Sequence, residues 1–78
     1  ENTVFPNPSS GAFTFVADRP VRGLRLFDLL GRQHLTAGAL DAGQRLSFGE
    51  RLDGGSYLLR IEYTDQTGRT VKVVKVGR

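Results

Sequence analysis

The feature that most constrains this chain is a period-two alternation of apolar and polar residues, cut at short intervals by glycine. In the stretch Tyr57 to Tyr63, Tyr57, Leu59, Ile61 and Tyr63 share one parity, while Arg60 and Glu62 take the other. Phe13, Phe15 and Ala17 alternate with Thr14 and Val16; Leu24 and Leu26 flank Arg25; Leu46 and Phe48 flank Ser47. Successive side chains of a strand point to opposite faces. The pattern therefore specifies strands with one face in a core and one in water.

Turn formers separate these runs: Ser9-Ser10-Gly11, Asp18-Arg19-Pro20, Leu30-Gly31, the stretch 38–43, Asp53-Gly54-Gly55, and Asp65-Gln66-Thr67-Gly68. Their spacing of roughly 8–12 residues is that of sandwiches and barrels. Strands are predicted over 3–5, 11–17, 22–29, 33–37, 44–48, 56–63 and 69–76. The expected fold class is all-β, an Ig-like antiparallel β-sandwich of about seven short strands. One segment competes. The leucines of "LRLFDLLGRQHL" partly fit a helical period, but Gly23 and Gly31 bracket the segment and Phe27 falls off the apolar stripe. Strand followed by turn fits better. In "LDGGSYLLRIEY" a leucine, a glycine-rich turn and a tyrosine entering a long strand suggest a tyrosine corner, with the Tyr57 ring in the core and its hydroxyl on nearby backbone. An exposed binding aromatic is the alternative reading.

The chain of 78 residues suits one domain, divided here into a lead-in over 1–8 and a sandwich core over 9–76. It has no cysteine, so packing alone must hold the core, and the redox compartment stays open. Hydrophobic residues at 38% and charged residues at 24% argue against wholesale disorder. No apolar run approaches the ~20 residues of a membrane helix, so membrane insertion is not expected. A chain beginning "ENTVFPNP" without Met reads as a piece of a longer protein.

The net charge of +3 raises the question of anionic partners. Arg69, Lys72, Lys75 and Arg78 fall in the last ten residues, where no acid occurs. Two readings stand: an edge strand protected from aggregation by solvated charge, or a recognised basic tail. The aromatic-on-basic-strand pattern of RNA-binding sheets is missing, so nucleic acid is not an expected partner.

Catalytic chemistry finds little support. The single histidine, His34, has no cysteine to join it and opposite strand parity to Leu35, which points it to solvent. Most of the carboxylates, Glu1, Asp18, Asp28, Asp41, Glu50, Asp53, Glu62 and Asp65, sit near glycine or proline, where aspartate serves turn geometry. Gly54-Gly55 precedes a strand, whereas phosphate-cradling loops precede helix N-termini. No enzyme activity, metal or cofactor is expected.

As an ordered set, "VFPNPSSGAFTF", "LRLFDLLGRQ", "LDGGSYLLRI" and "VKVVK" closely resemble the type A C-terminal sorting domain of the type IX secretion system of Bacteroidetes. The resemblance runs from about Thr3 to Lys75. Its Pro-Asn-Pro lead-in falls on Pro6, Asn7 and Pro8, and the following glycine on Gly11. An Asp-x-x-Gly-Arg falls on Asp28, Gly31 and Arg32, a Gly-x-Tyr on Gly55 and Tyr57, and the terminal lysines on Lys72 and Lys75. Phe5 and Phe27 stand where the family often has tyrosine, and Arg78 follows the last lysine.

The resemblance implies a non-catalytic tag at the end of a secreted cargo. The cargo domain would precede it in cis and pass through the periplasm. The outer-membrane translocon would recognise the tag, and a sortase-like peptidase at the cell surface would cut near or upstream of Glu1. The rival is an Ig- or fibronectin-like accessory or carbohydrate-binding module, which accounts for the alternation but not for Pro6-Asn7-Pro8. Three local expectations follow. Prolines 6 and 8 make the lead-in stiff and poorly pairing; Phe5 tucks against the core; and the final strand, with Lys72, Lys75 and Arg78, forms part of the recognised surface, open to strand addition.

Overall fold

The computed structural model describes residues 4–77. They form seven strands: β1 (Val4–Phe5), β2 (Phe13–Val16), β3 (Val21–Asp28), β4 (Gln33–Ala37), β5 (Arg45–Phe48), β6 (Gly55–Tyr63) and β7 (Gly68–Lys75). Each described strand lies within two residues of its predicted span, and no helix interrupts "LRLFDLLGRQHL". Two antiparallel sheets result, one ordered β1-β2-β5 and the other β4-β3-β6-β7, as an all-β sandwich requires.

The alternation decides what lies between the sheets. Val4, Phe13, Phe15 and Phe48 from the first sheet, with Ala17 just after β2, meet Val21, Leu24, Leu26, Tyr57, Leu59, Ile61, Tyr63 and Val73 from the second, all buried. Phe13 and Phe48 stack with ring centroids 5.4 Å apart. Full burial of an aliphatic or aromatic side chain stabilises by roughly 1.5–3 kcal/mol, so this apolar layer is the main source of stability in a chain without disulfides. The same alternation corrects the expectation for Phe5. β1 pairs Val4 with Phe15 and Phe5 with Thr14. With Val4 turned inward, Phe5 must turn outward, and it is 41% exposed.

Two irregularities re-aim side chains. The β3–β6 register advances from Val21↔Tyr63 to Gly23↔Glu62, leaving Arg22 as an extra residue. The β3–β4 register runs from Leu26↔Leu35 to Phe27↔Gln33, leaving His34 as the extra residue. Such bulges bend a strand and turn one side chain out of the regular pleat.

Candidate functional site

The motif residues gather in two places. The first is the outer edge of β7. The peptide bonds Phe5-Pro6 and Asn7-Pro8 are both cis. Between the prolines, the Asn7 carboxamide behaves as one residue of an added strand. Its Nδ2 donates to Lys72 O at 2.9 Å and its Oδ1 accepts from Val74 N at 3.0 Å. Ser9 continues the pairing in parallel with Lys75. Its backbone N donates to Val74 O at 3.0 Å, and Val76 N donates to Ser9 O at 2.8 Å. The lead-in is therefore not a poorly pairing edge. The prolines lack backbone donors, and the asparagine side chain with the Ser9 backbone replaces them. Nor is β7 open to strand addition along this stretch, because the lead-in covers Lys72 to Val76.

Ser9 is itself buried, with Oγ donating to Ala12 O and accepting from Gly11 N. A side chain at Gly11 would meet no atom within 4 Å. No close approach calls for glycine there.

The second place is the end of the sandwich where the β3–β4 and β5–β6 turns lie side by side. Asp28 closes the first turn. Its Oδ1 accepts from Leu30 N and Arg32 N, and its Oδ2 accepts from Arg32 Nε at 2.8 Å and contacts His34 Nε2 at 2.9 Å. Gly31 takes the positive φ of 88° that this turn needs. Hydrogen bonds to the charged form, first from His34 and then from Arg32 and Leu30, hold the Asp28 carboxyl well below the usual carboxylate range. So depressed a carboxylate, with both oxygens engaged, organises a turn and is a poor general base at neutral pH. Parity pointed His34 to solvent, but as the extra residue of the bulge it leaves the regular pleat and is only partly solvated: its ring meets Tyr57 edge to face, with centroids 5.3 Å apart.

Tyr57 makes the corner. Its ring is buried and its hydroxyl donates to Asp53 O at 2.7 Å. Burial pushes the phenol pKa up, assisted by the nearby charges of Asp53 and Asp28. Gly55 enters β6 at a φ of 149°. At Gly54 a Cβ would clash with Gly77 O, so the chain after β7 packs directly on this glycine. Asp28, Arg32, His34, Gly55 and Tyr57 thereby share the wall of one shallow recess of about 260 Å³, with Leu29 and Leu30 exposed on its rim.

The terminal lysines divide. Lys72 is exposed, whereas Lys75 is 4% exposed and points between the sheets. Its Nζ donates to Gly49 O at 2.6 Å and Glu50 O at 2.8 Å. Lys75 is thus a fastener of the β5–β6 loop and no part of a basic exposed surface. Strand parity decides this, since Lys75 shares the inward face with Val71 and Val73. Arg78 lies outside the described residues. Among those described, no cluster of three or more His, Cys, Asp or Glu side chains is placed to hold a metal ion.

Sequence reasoning missed Ser9, His34 and Gly54. For Gly54 a signal existed in the doubled glycine. Nothing in the sequence ties Ser9 to β7 or aims the His34 ring at Asp28.

These features define a small, disulfide-free β-sandwich whose lead-in is stitched to its last strand and whose two motif-bearing turns pack at one end. Residues 3–76 match the model of the secretion system C-terminal sorting domain family. The chain belongs to that family, the C-terminal sorting signals of type IX secretion. No curated protein and no solved structure matches it. Membership implies export to the cell surface or extracellular space through interaction with the type IX machinery.

Proposed function

We propose that this domain is a non-catalytic tag that carries a cargo, attached at its N-terminal side, from the periplasm to the outer-membrane translocon, and that a sortase-like peptidase then removes it at the cell surface. The observation that carries this reading is the junction of Asn7 with Lys72 and Val74. It joins the first and last pieces of the motif into one surface, so a receptor meets both only when the domain is complete and folded. In this reading Pro6, Asn7, Pro8 and Lys72 present that surface. Asp28, Arg32, Gly55 and Tyr57 present the recess at the sandwich end, and Gly31 shapes the turn beside it. Lys75 acts from inside by holding the loop beside it, and Gly11 and Arg78 are assigned by the motif and its flank.

The test is export of a periplasm-directed reporter fused ahead of the 78-residue chain in a host with a functional type IX system. The wild-type fusion is expected in the medium or on the cell surface, without the tag. A folded fusion retained in the periplasm would overturn the proposal. Arg32→Ala separates contact from folding, because Arg32 is 72% exposed: lost export with unchanged melting supports contact at the recess.

A further inference from the structure

The outer face of the β4-β3-β6-β7 sheet carries an arrangement built on three arginines that lie outside the motif positions. Arg25 of β3 stands directly opposite Arg60 of β6. Like charges paired across strands repel. The bulge at Arg22 adds a third guanidinium on the same side. All three converge on one carboxylate. Arg22 reaches Glu62 Oε1 at 3.1 Å, Arg25 bonds Glu62 Oε2, and Arg60 Nε lies 3.9 Å from Oε2. Three cations on one anion leave this cluster with two positive charges in excess. The arginines remain accessible, with 61%, 47% and 47% of their side chains exposed.

The adjoining row pairs Phe27 with Leu58 and Leu58 with Lys72. Two half-buried apolar side chains and a further cation thus stand beside the arginines on one face. The recess described above lies elsewhere, at the sandwich end. Guanidinium forks match phosphate oxygens in pairs. A sheet face combining excess arginine with partly exposed apolar side chains is suited to a headgroup layer, where charge attracts and apolar groups enter the interface.

We propose that the Arg22–Arg25–Arg60 face docks on an anionic, phosphate-bearing lipid surface. This goes beyond the sorting role and stands independently of it. Glu62 tunes the affinity by neutralising part of the charge, and ionic strength weakens the contact.

The test is co-sedimentation of the full 78-residue chain with phosphatidylcholine vesicles, with and without phosphatidylglycerol. Binding is expected only with phosphatidylglycerol, falling as salt rises. Each lost charge near an anionic surface is expected to cost about fivefold, so the double variant Arg22→Gln/Arg25→Gln loses on the order of 25-fold. The matched pair Arg45→Gln/Arg51→Gln, which lies off this face, stays close to wild type. Glu62→Gln strengthens binding by about fivefold. Melting curves confirm that each variant is folded, and Arg22→Lys/Arg25→Lys retains charge should the glutamine pair unfold. Absence of phosphatidylglycerol binding, equal losses in the two double variants, or no gain from Glu62→Gln each overturns the proposal. Retention on polyaspartate without vesicle binding overturns it in favour of an acidic protein partner.

Discussion

Val74 and Asn7, 67 positions apart in sequence, are joined by a 3.0 Å hydrogen bond from the Val74 amide to the Asn7 side-chain oxygen. The same carboxamide donates back to Lys72 O. Asn7→Ala removes both bonds and leaves two strand-edge groups to water. The expected loss is about 1–2 kcal/mol of stability, read by denaturant titration. Hydrogen exchange locates it: the Val74 amide should exchange faster, while the Leu59 amide, in the middle of β6, changes only with global stability. Unchanged Val74 protection would sink the clamp.

Lys75 is fastened rather than solvated. Lys75→Met keeps most of the buried stem but removes both donors to Gly49 and Glu50 carbonyls. Hydrogen bonds from charged groups contribute about 1.5–3 kcal/mol each, and the orphaned carbonyls regain water only in part. A loss of roughly 2–4 kcal/mol is expected in equilibrium unfolding. Lys72→Met, on the exposed side of the same strand, should stay within about 0.5 kcal/mol of wild type.

The two tyrosines of β6 give opposite outcomes. The Tyr57 hydroxyl is bonded to Asp53 O, so Tyr57→Phe should cost about 1 kcal/mol. The buried Tyr63 hydroxyl has no hydrogen-bond partner among the described residues, although Arg19 lies 3.9 Å above its ring. Removing an unsatisfied buried hydroxyl relieves a desolvation cost, so Tyr63→Phe is expected to be neutral or slightly stabilising. Equal losses at both positions would contradict the assignment of the corner.

Asp28 predicts a pH dependence. Its folded-state pKa lies below its unfolded value, so its contribution to stability is full above the unfolded value and disappears as pH falls toward the folded one. The melting temperature of wild type should therefore fall more steeply below about pH 4 than that of Asp28→Asn, and the two curves should converge in strong acid. At neutral pH the variant should melt lower, since it loses the charge that holds Arg32 and His34. Parallel curves throughout would remove Asp28 as the closing residue of the turn.

The strands were legible because a half-buried sheet writes its two faces directly into the chain: Phe13 and Phe15, or Leu59, Ile61 and Tyr63, can be assigned inward without knowing their neighbours. Tyr57 was legible because its partner, Asp53, is local. The lead-in was misjudged for the opposite reason. Prolines 6 and 8 announce lost backbone donors, but no local rule says that the side chain between them will stand in for a strand residue on β7. Lys75 misled in the same way. A lysine in a terminal strand reads as solvated, and only the carbonyls of a loop some 25 residues away make its burial tolerable.

By itself, then, the sequence determined the periods, the turns and the order of motifs, because strand parity and glycine turns act over a few residues. The tertiary structure alone decided which motif residues meet. It set Asn7 on β7, aimed Lys75 into the sandwich and drew Arg22, Arg25 and Arg60 onto one carboxylate. Hydrogen bonds and ion pairs act at about 3 Å, and only the folding of the two sheets brings such distant positions within that range.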